Sequence, residues 1–161
     1  IVKEIEWKGK FLKTIETAYK KGPMFYNVFP IIEEIINFNE QNLSAYISQS
    51  IKLISNYLGI KTQIIETSAR YNTSKLKGQN KILEICLQEK ATQYINPIGG
   101  IEIYQKDLFK QKQIELVFIK SKPIIYTQQG NEFIPWLSII DVMMFNSKEN
   151  IIDFLNKYEL I

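Results

Sequence analysis

The stretch NLSAYISQSIKLISNYLGIKTQIIETS, residues 42–68, carries the reading of the fold class. In its first part Leu43, Tyr46, Ile47, Ser50, Ile51, Ile54, Tyr57 and Leu58 recur every three or four residues, which places them on one face of a helix. Asn42 can cap that helix, and Gly59 supplies a left-handed stop. The following KTQIIETS has β-branched residues and no helical stripe, so it reads as a strand leaving the helix. An α-then-β unit results.

Working toward the C-terminus, a polar loop over Ala69–Gly78 leads to Ile82, Leu83, Ile85 and Cys86, a second helical pattern that runs to about Lys90. ATQYINP then reads as a short strand, which makes a second unit of the same kind. The alternation predicts an α/β fold: a small, mostly parallel sheet flanked by amphipathic helices, part of a larger α/β fold. In PIGG the two glycines are expected to supply positive φ for a turn. IEIYQKDLFKQ reads as helix, IELVFIK as strand, and KPIIYTQQGNEF as extended chain with a turn at Gly130 and Asn131. Two helical pieces close the chain. For the last, Asn146 is the expected cap, Glu149 answers from the third position, and Ile151, Ile152, Phe154, Leu155 and Tyr158 form the stripe to be buried.

Toward the N-terminus, Phe11, Leu12, Ile15, Ala18 and Tyr19 predict a helix over residues 8–20, ended by Gly22 and Pro23. The next helix is expected to start near Val28, because Pro30 lacks an amide donor and fits best in a first turn. Ile1 is not Met, and Ile1–Trp7 already reads as the inside of an element, so the sequence is expected to be a fragment lacking an N-terminal part.

Composition bounds the function. The length and apolar content suit a single domain over residues 1–161 with a real core. Of 20 basic side chains only Arg70 is arginine, and 17 acidic ones leave a net charge of +3. Nucleic-acid binders concentrate positive charge and rely on arginine for bidentate contacts, so that class is disfavoured. With no histidine, imidazole catalysis and a typical zinc site are excluded, and the lone Cys86 can form no internal disulfide. No apolar run reaches the ~20 residues that span a bilayer, and no signal peptide opens the chain, so the expected place is the cytoplasm.

Three stretches can carry chemistry. TSARYNTSKLKG collects Thr67, Ser68, Arg70, Thr73, Ser74, Lys75 and Lys77 between a predicted strand and a helix, where hydroxyls, cations and helix amides favour phosphate. It is either a phosphate-facing loop or a solvated one, and the P-loop spacing is absent. YINPIGGIEIY places Asn96, Gly99 and Gly100 at a strand end, either as an anion-holding turn or as a tight turn that needs its glycines. In FIPWLSIIDVMMFN, residues 133–146, Asp141 interrupts an apolar run. There Ser138 is the expected cap, accepting from the amide of Asp141, while the carboxylate reaches back to the amide of Ser138. Glu102, Asp107, Glu115 and Asp141 show no pairing by spacing, and no metal or calcium loop is predicted.

Several blocks taken together in order, LKTIETAYKKGPMFYNVFP, LGIKTQIIETS, ILEICLQEKATQYINPIGGIEIY, IIYTQQGNEFIPWLSIIDVMMFN and IIDFLNKYEL, resemble the WbqC-like protein family over nearly the whole chain. Family members carry a further N-terminal α/β segment with a Gln-Pro and aromatic motif, and nothing like it occurs here. The resemblance implies a transferase-like role in bacterial surface polysaccharide (O-antigen) biosynthesis, attaching an amino-acid or acyl group to an amino sugar carried as a sugar nucleotide. It implies no particular cofactor. The positions fitting its blocks are Ser68, Tyr94, Gly99, Gly100, Tyr104, Tyr126, Gln128, Phe133, Ser138 and Asp141, with Asp141 as the catalytic candidate. Asn96 departs from the serine expected there, and Arg70, Ser74 and Lys75 are choices made from the loop's chemistry. The competing reading is a non-catalytic binding or assembly module, recognisable by an exposed apolar patch.

Overall fold

The computed structural model describes residues 5–130 and 132–161. The expectations for Ile1–Glu4 and for the turn at Asn131 lie outside the described residues. Among the described residues, seven α-helices and a three-stranded mixed sheet place the chain in the α/β class. Backbone contacts divide it into two compact units, one running to Glu66 and resuming over Pro123–Asn156, the other comprising Thr67–Lys122 and Lys157–Ile161.

The first unit is helical. Helix α1 (Ile5–Tyr19) ends before Gly22, where a Cβ would stand 2.9 Å from the carbonyl of Met144. Glycine is required there for close approach to a later helix rather than only to break α1. Helix α2 (Phe25–Asn37) begins three residues before the expected Val28, so Pro30 lies inside it and leaves the Tyr26 carbonyl without a helical donor. Tyr26 is 86% exposed, so water can take that bond. Phe25, Val28, Ile32, Ile35 and Ile36 are buried at helical spacing and form the centre of this core. Helix α3 (Leu43–Leu58) matches its predicted bounds: Asn42 accepts from the amide of Ala45 at 3.1 Å, and Gly59 sits at φ 74. Helices α6 (Ile139–Phe145) and α7 (Lys148–Leu155) close this core with Met143, Met144 and Ile151.

Three further expectations fail in this unit. KTQIIETS forms no strand; residues 60–67 are irregular, because β-branched residues make a strand only where a neighbouring strand offers its backbone. The cap of α7 is Ser147, which accepts from Asn150, while Asn146 is buried and donates to Val142 at 2.8 Å as the C-cap of the preceding helix. Ile152 and Leu155 are exposed, so the last stripe is buried only through Ile151 and, in part, Phe154.

The second unit holds the sheet. Helix α4 (Gly78–Gln88) buries Cys86, and β1 (Gln93–Pro97) follows, so the second αβ unit forms as expected. A 3-10 turn over Ile98–Gly100 stands where PIGG was expected to turn, and a short helix, α5 (Lys106–Lys110), stands where a longer one was predicted over 101–111. Strand β2 (Glu115–Ser121) pairs in parallel with β1 and antiparallel with β3 (Tyr158–Leu160), so the sheet is mixed rather than mostly parallel. Tyr158 therefore belongs to a strand and not to the terminal helical stripe. Leu116 and Phe118 alternate onto one buried face with Ile114, where α5 covers them with Phe109, and Tyr94 stacks on Phe109 at 5.7 Å.

Candidate functional site

The expected site residues fall into both units. In the second unit Thr67 accepts from the amide of Ala69 and caps a 3-10 turn over Ser68–Arg70. Arg70 pairs with Glu89 at 3.4 Å and lies over the ring of Tyr71, whose hydroxyl donates to the same carboxylate at 2.6 Å. That bond is the first cause of the rise in the Tyr71 pKa. The cation of the loop is thus engaged at the surface, while Ser68, Ser74 and Lys75 are exposed. Because no strand precedes it, the loop does not sit at a strand's carboxyl end.

At the end of β1, Asn96 donates to the hydroxyl of Tyr94 at 2.5 Å, and Tyr104 packs on Tyr94 at 5.9 Å. Burial is the first cause of the raised pKa of Tyr94. Neither Gly99 nor Gly100 has positive φ, contrary to expectation. Gly100 is instead a matter of space: a Cβ there would collide with the Asn96 side chain, whereas Gly99 faces open room. These residues form a packed polar corner. A cavity of about 650 Å³ in this unit is lined by Lys106, Lys110 and the start of β2, and by none of the expected residues.

The first unit brings the remaining candidates together. Ser138 caps α6, but its hydroxyl accepts from Ile140 at 3.2 Å, and the amide of Asp141 bonds to the Ser138 carbonyl at 2.9 Å. The predicted reciprocal cap does not form, because the Asp141 carboxylate is turned to other donors. Its Oδ2 accepts from the hydroxyl of Tyr126 at 2.7 Å and from Nε2 of Gln128 at 3.0 Å. Gln128 cannot be rotated out of this role. Its Oε1 accepts from the amide of Ile134 at 2.8 Å while Nε2 donates to the Ile134 carbonyl at 3.0 Å, which fixes the amide and closes the loop from 128 to 134.

Asp141 is 4% exposed, and among the described residues it makes no ion pair. Its donors are neutral. Tyr126 is pushed up to about 12 by burial and then by its hydrogen bond to Asp141, so it keeps its proton and remains a donor. Tyr19, the last residue of α1, is raised by burial and then by the charge of Asp141. Phe133 and Phe154 pack on the Tyr126 ring at 5.3 and 6.1 Å and hold the hydroxyl in place.

Asp141 opens onto a pocket of about 210 Å³ whose walls include Tyr19, Gln128, Glu132, Ile134, Leu137 and Phe145. Among the described residues, two carboxylates and no basic side chain line it. Among the described residues no group of three His, Cys, Asp or Glu side chains can hold a metal ion, and no helix is long and apolar enough to cross a membrane. Sequence reasoning identified Asp141, Tyr126, Gln128 and Ser138, but it placed Tyr19 only on a helical stripe and did not assign Glu132, Ile134 or Leu137. No local signal marks them, since their approach to Asp141 depends on how the helices pack.

No curated protein and no solved structure matches the chain. Residues 1–153 match the WbqC-like protein family, a span that takes in all the site residues of both units. The chain belongs to the WbqC-like protein family.

Proposed function

We propose that the chain is a transferase of bacterial surface polysaccharide biosynthesis that attaches an amino-acid or acyl group to an amino sugar carried on a nucleotide in the cytoplasm, and that the Asp141 pocket receives the acceptor amine. Family membership supports the pathway. One observation carries the site: a carboxylate that is 4% exposed and, among the described residues, is held by neutral donors alone beside a pocket without basic side chains. Burying a charge without an opposite one is costly, and a ligand ammonium supplies the missing partner.

The same carboxylate then serves the chemistry. Once the bound ammonium has given one proton to solvent, its nitrogen attacks the carbonyl carbon of the acyl donor. The carbon–nitrogen bond forms, the donor's leaving group departs with its bonding pair, and the second proton of the nitrogen passes to Asp141. Tyr126 and Gln128 hold the carboxylate in position throughout.

The test is incubation of the protein with a nucleotide-linked amino sugar and acyl or aminoacyl donors, read by mass spectrometry. The expected product is the N-acylated sugar, and Asp141→Asn is expected to slow its formation about a hundredfold. Full turnover by Asp141→Asn, or equal affinity for the free amine and its N-acetylated form, would sink the reading.

A second reading, a non-catalytic assembly module, draws on Leu43, Ile47 and Ile51, spaced four apart and exposed on α3. Lysine at Ile47 and Ile51 separates the two: loss of polysaccharide in cells on that substitution, from a protein whose parent shows no acylation in vitro, favours the module.

A further inference from the structure

Trp136 plays no part in the Asp141 hydrogen-bond network, yet its placement is unusual in two ways. Its side chain is 76% exposed, although tryptophan is among the residues most covered by folding. Its backbone has φ 62, the left-handed region that a bulky L residue rarely adopts. It follows Pro135 in a turn, and a turn with proline first and positive φ second is ordinarily completed by glycine. Its close neighbours in sequence, Ile134 and Leu137, both line the Asp141 pocket, so the backbone that carries the indole borders that pocket. Asp141 and Glu132 make the pocket anionic, while Ile134 and Leu137 give it an apolar side, and the exposed Trp136 lies between those two in the chain.

An ammonium alone needs no aromatic surface. A pyranose ring has a face of C–H groups, and an exposed indole offers a flat apolar partner with little conformational entropy to lose. We infer that Trp136 is the stacking platform of this site: it takes the C–H face of a pyranose whose amino group is directed to the carboxylates of Asp141 and Glu132. The inference rests on the amine reading of the Asp141 pocket and adds the ring that the amine is carried on.

With Trp7 replaced by phenylalanine, Trp136 is the sole tryptophan of the chain, and its fluorescence reports on the site. Titration of that protein with glucosamine is expected to move the emission saturably to shorter wavelength, and glucose to bind more weakly. Trp136→Gly removes the ring and relaxes the backbone. It is expected to melt no lower than its parent while glucosamine affinity, measured by calorimetry, falls about tenfold. Trp136→Phe is expected to recover most of the affinity.

A Trp136→Gly protein that binds glucosamine as tightly as its parent overturns the stacking role and leaves the amine reading standing. A Trp136→Gly protein that melts lower shows the ring to be part of the fold and overturns the role as well. If glucosamine binds equally to the parent and to Asp141→Asn, the amine reading fails, and absence of binding to the parent overturns both. An emission shift set by protein concentration rather than by glucosamine assigns the indole to self-association instead.

Discussion

At Asp141 a local demand and a long-range one compete. A carboxylate in the first turn of α6 is favoured by the helix dipole wherever it points, so the dipole alone does not aim it. Tyr126 and Gln128 do, and their two bonds outweigh a single bond back to the Ser138 amide. Removing the Tyr126 hydroxyl leaves a buried charged acceptor with one fewer donor, so Tyr126→Phe is expected to lower stability by about 1–2 kcal/mol in urea titration. The pH dependence has a definite sign. The folded pKa of Tyr126 is about 12 against 10.0 in the unfolded chain, so its contribution is whole below pH 10 and is lost as pH rises through 12. Melting temperature is expected to fall across that alkaline window, and to fall less steeply in Tyr126→Phe. An equal slope in the two proteins would show that the tyrosine does not carry the effect. Trp136, with Lys90 and Gln113, also has a conformation that local preference opposes, at a cost of about 1–2 kcal/mol for the left-handed backbone.

Among the elements, α3 is the one most fully legible in the sequence. Both of its ends are set within five residues: the Asn42 side-chain oxygen on the Ala45 amide, and Gly59 in left-handed backbone with the Ile60 amide bonded to the Ser55 carbonyl at 2.9 Å. Asn42→Ala is expected to cost about 1 kcal/mol and Gly59→Ala about 1 kcal/mol. The two sites lie about 24 Å apart along the helix, so the double variant is expected to show the sum in urea unfolding. A double variant no less stable than either single one would contradict independent caps. The segment after α3 shows the limit of such reasoning. Residues 60–67 have strand-forming side chains but no strand beside them, whereas β1 and β2 satisfy each other and were both readable. Strand β3 was hidden because three residues carry too little pattern, and the preceding helical stripe ran over them.

For the molecule as a whole, the charge distribution argues against polyanion binding. A net charge of +3, spread over lysines and balanced by 17 acidic residues, with the one arginine paired to Glu89, offers few free phosphate contacts. No saturable binding to duplex DNA or single-stranded RNA is expected by fluorescence anisotropy at physiological salt, and tight, strongly salt-dependent binding would reverse that view. The sequence by itself determined the α/β class, the bounds of α3, the strands within ATQYINP and IELVFIK to within two residues at each end, and the apolar helical position of Cys86. Periodicity and cap chemistry act over a few residues, and those features need nothing more distant. Only the tertiary structure decided that Asp141 meets Tyr126 and Gln128 rather than its own helix amide, that Tyr19 joins them, and that Arg70 is paired with Glu89. Which side chains meet across the chain is set by the packing of remote apolar faces, and an apolar stripe records that a face is buried without recording what it is buried against.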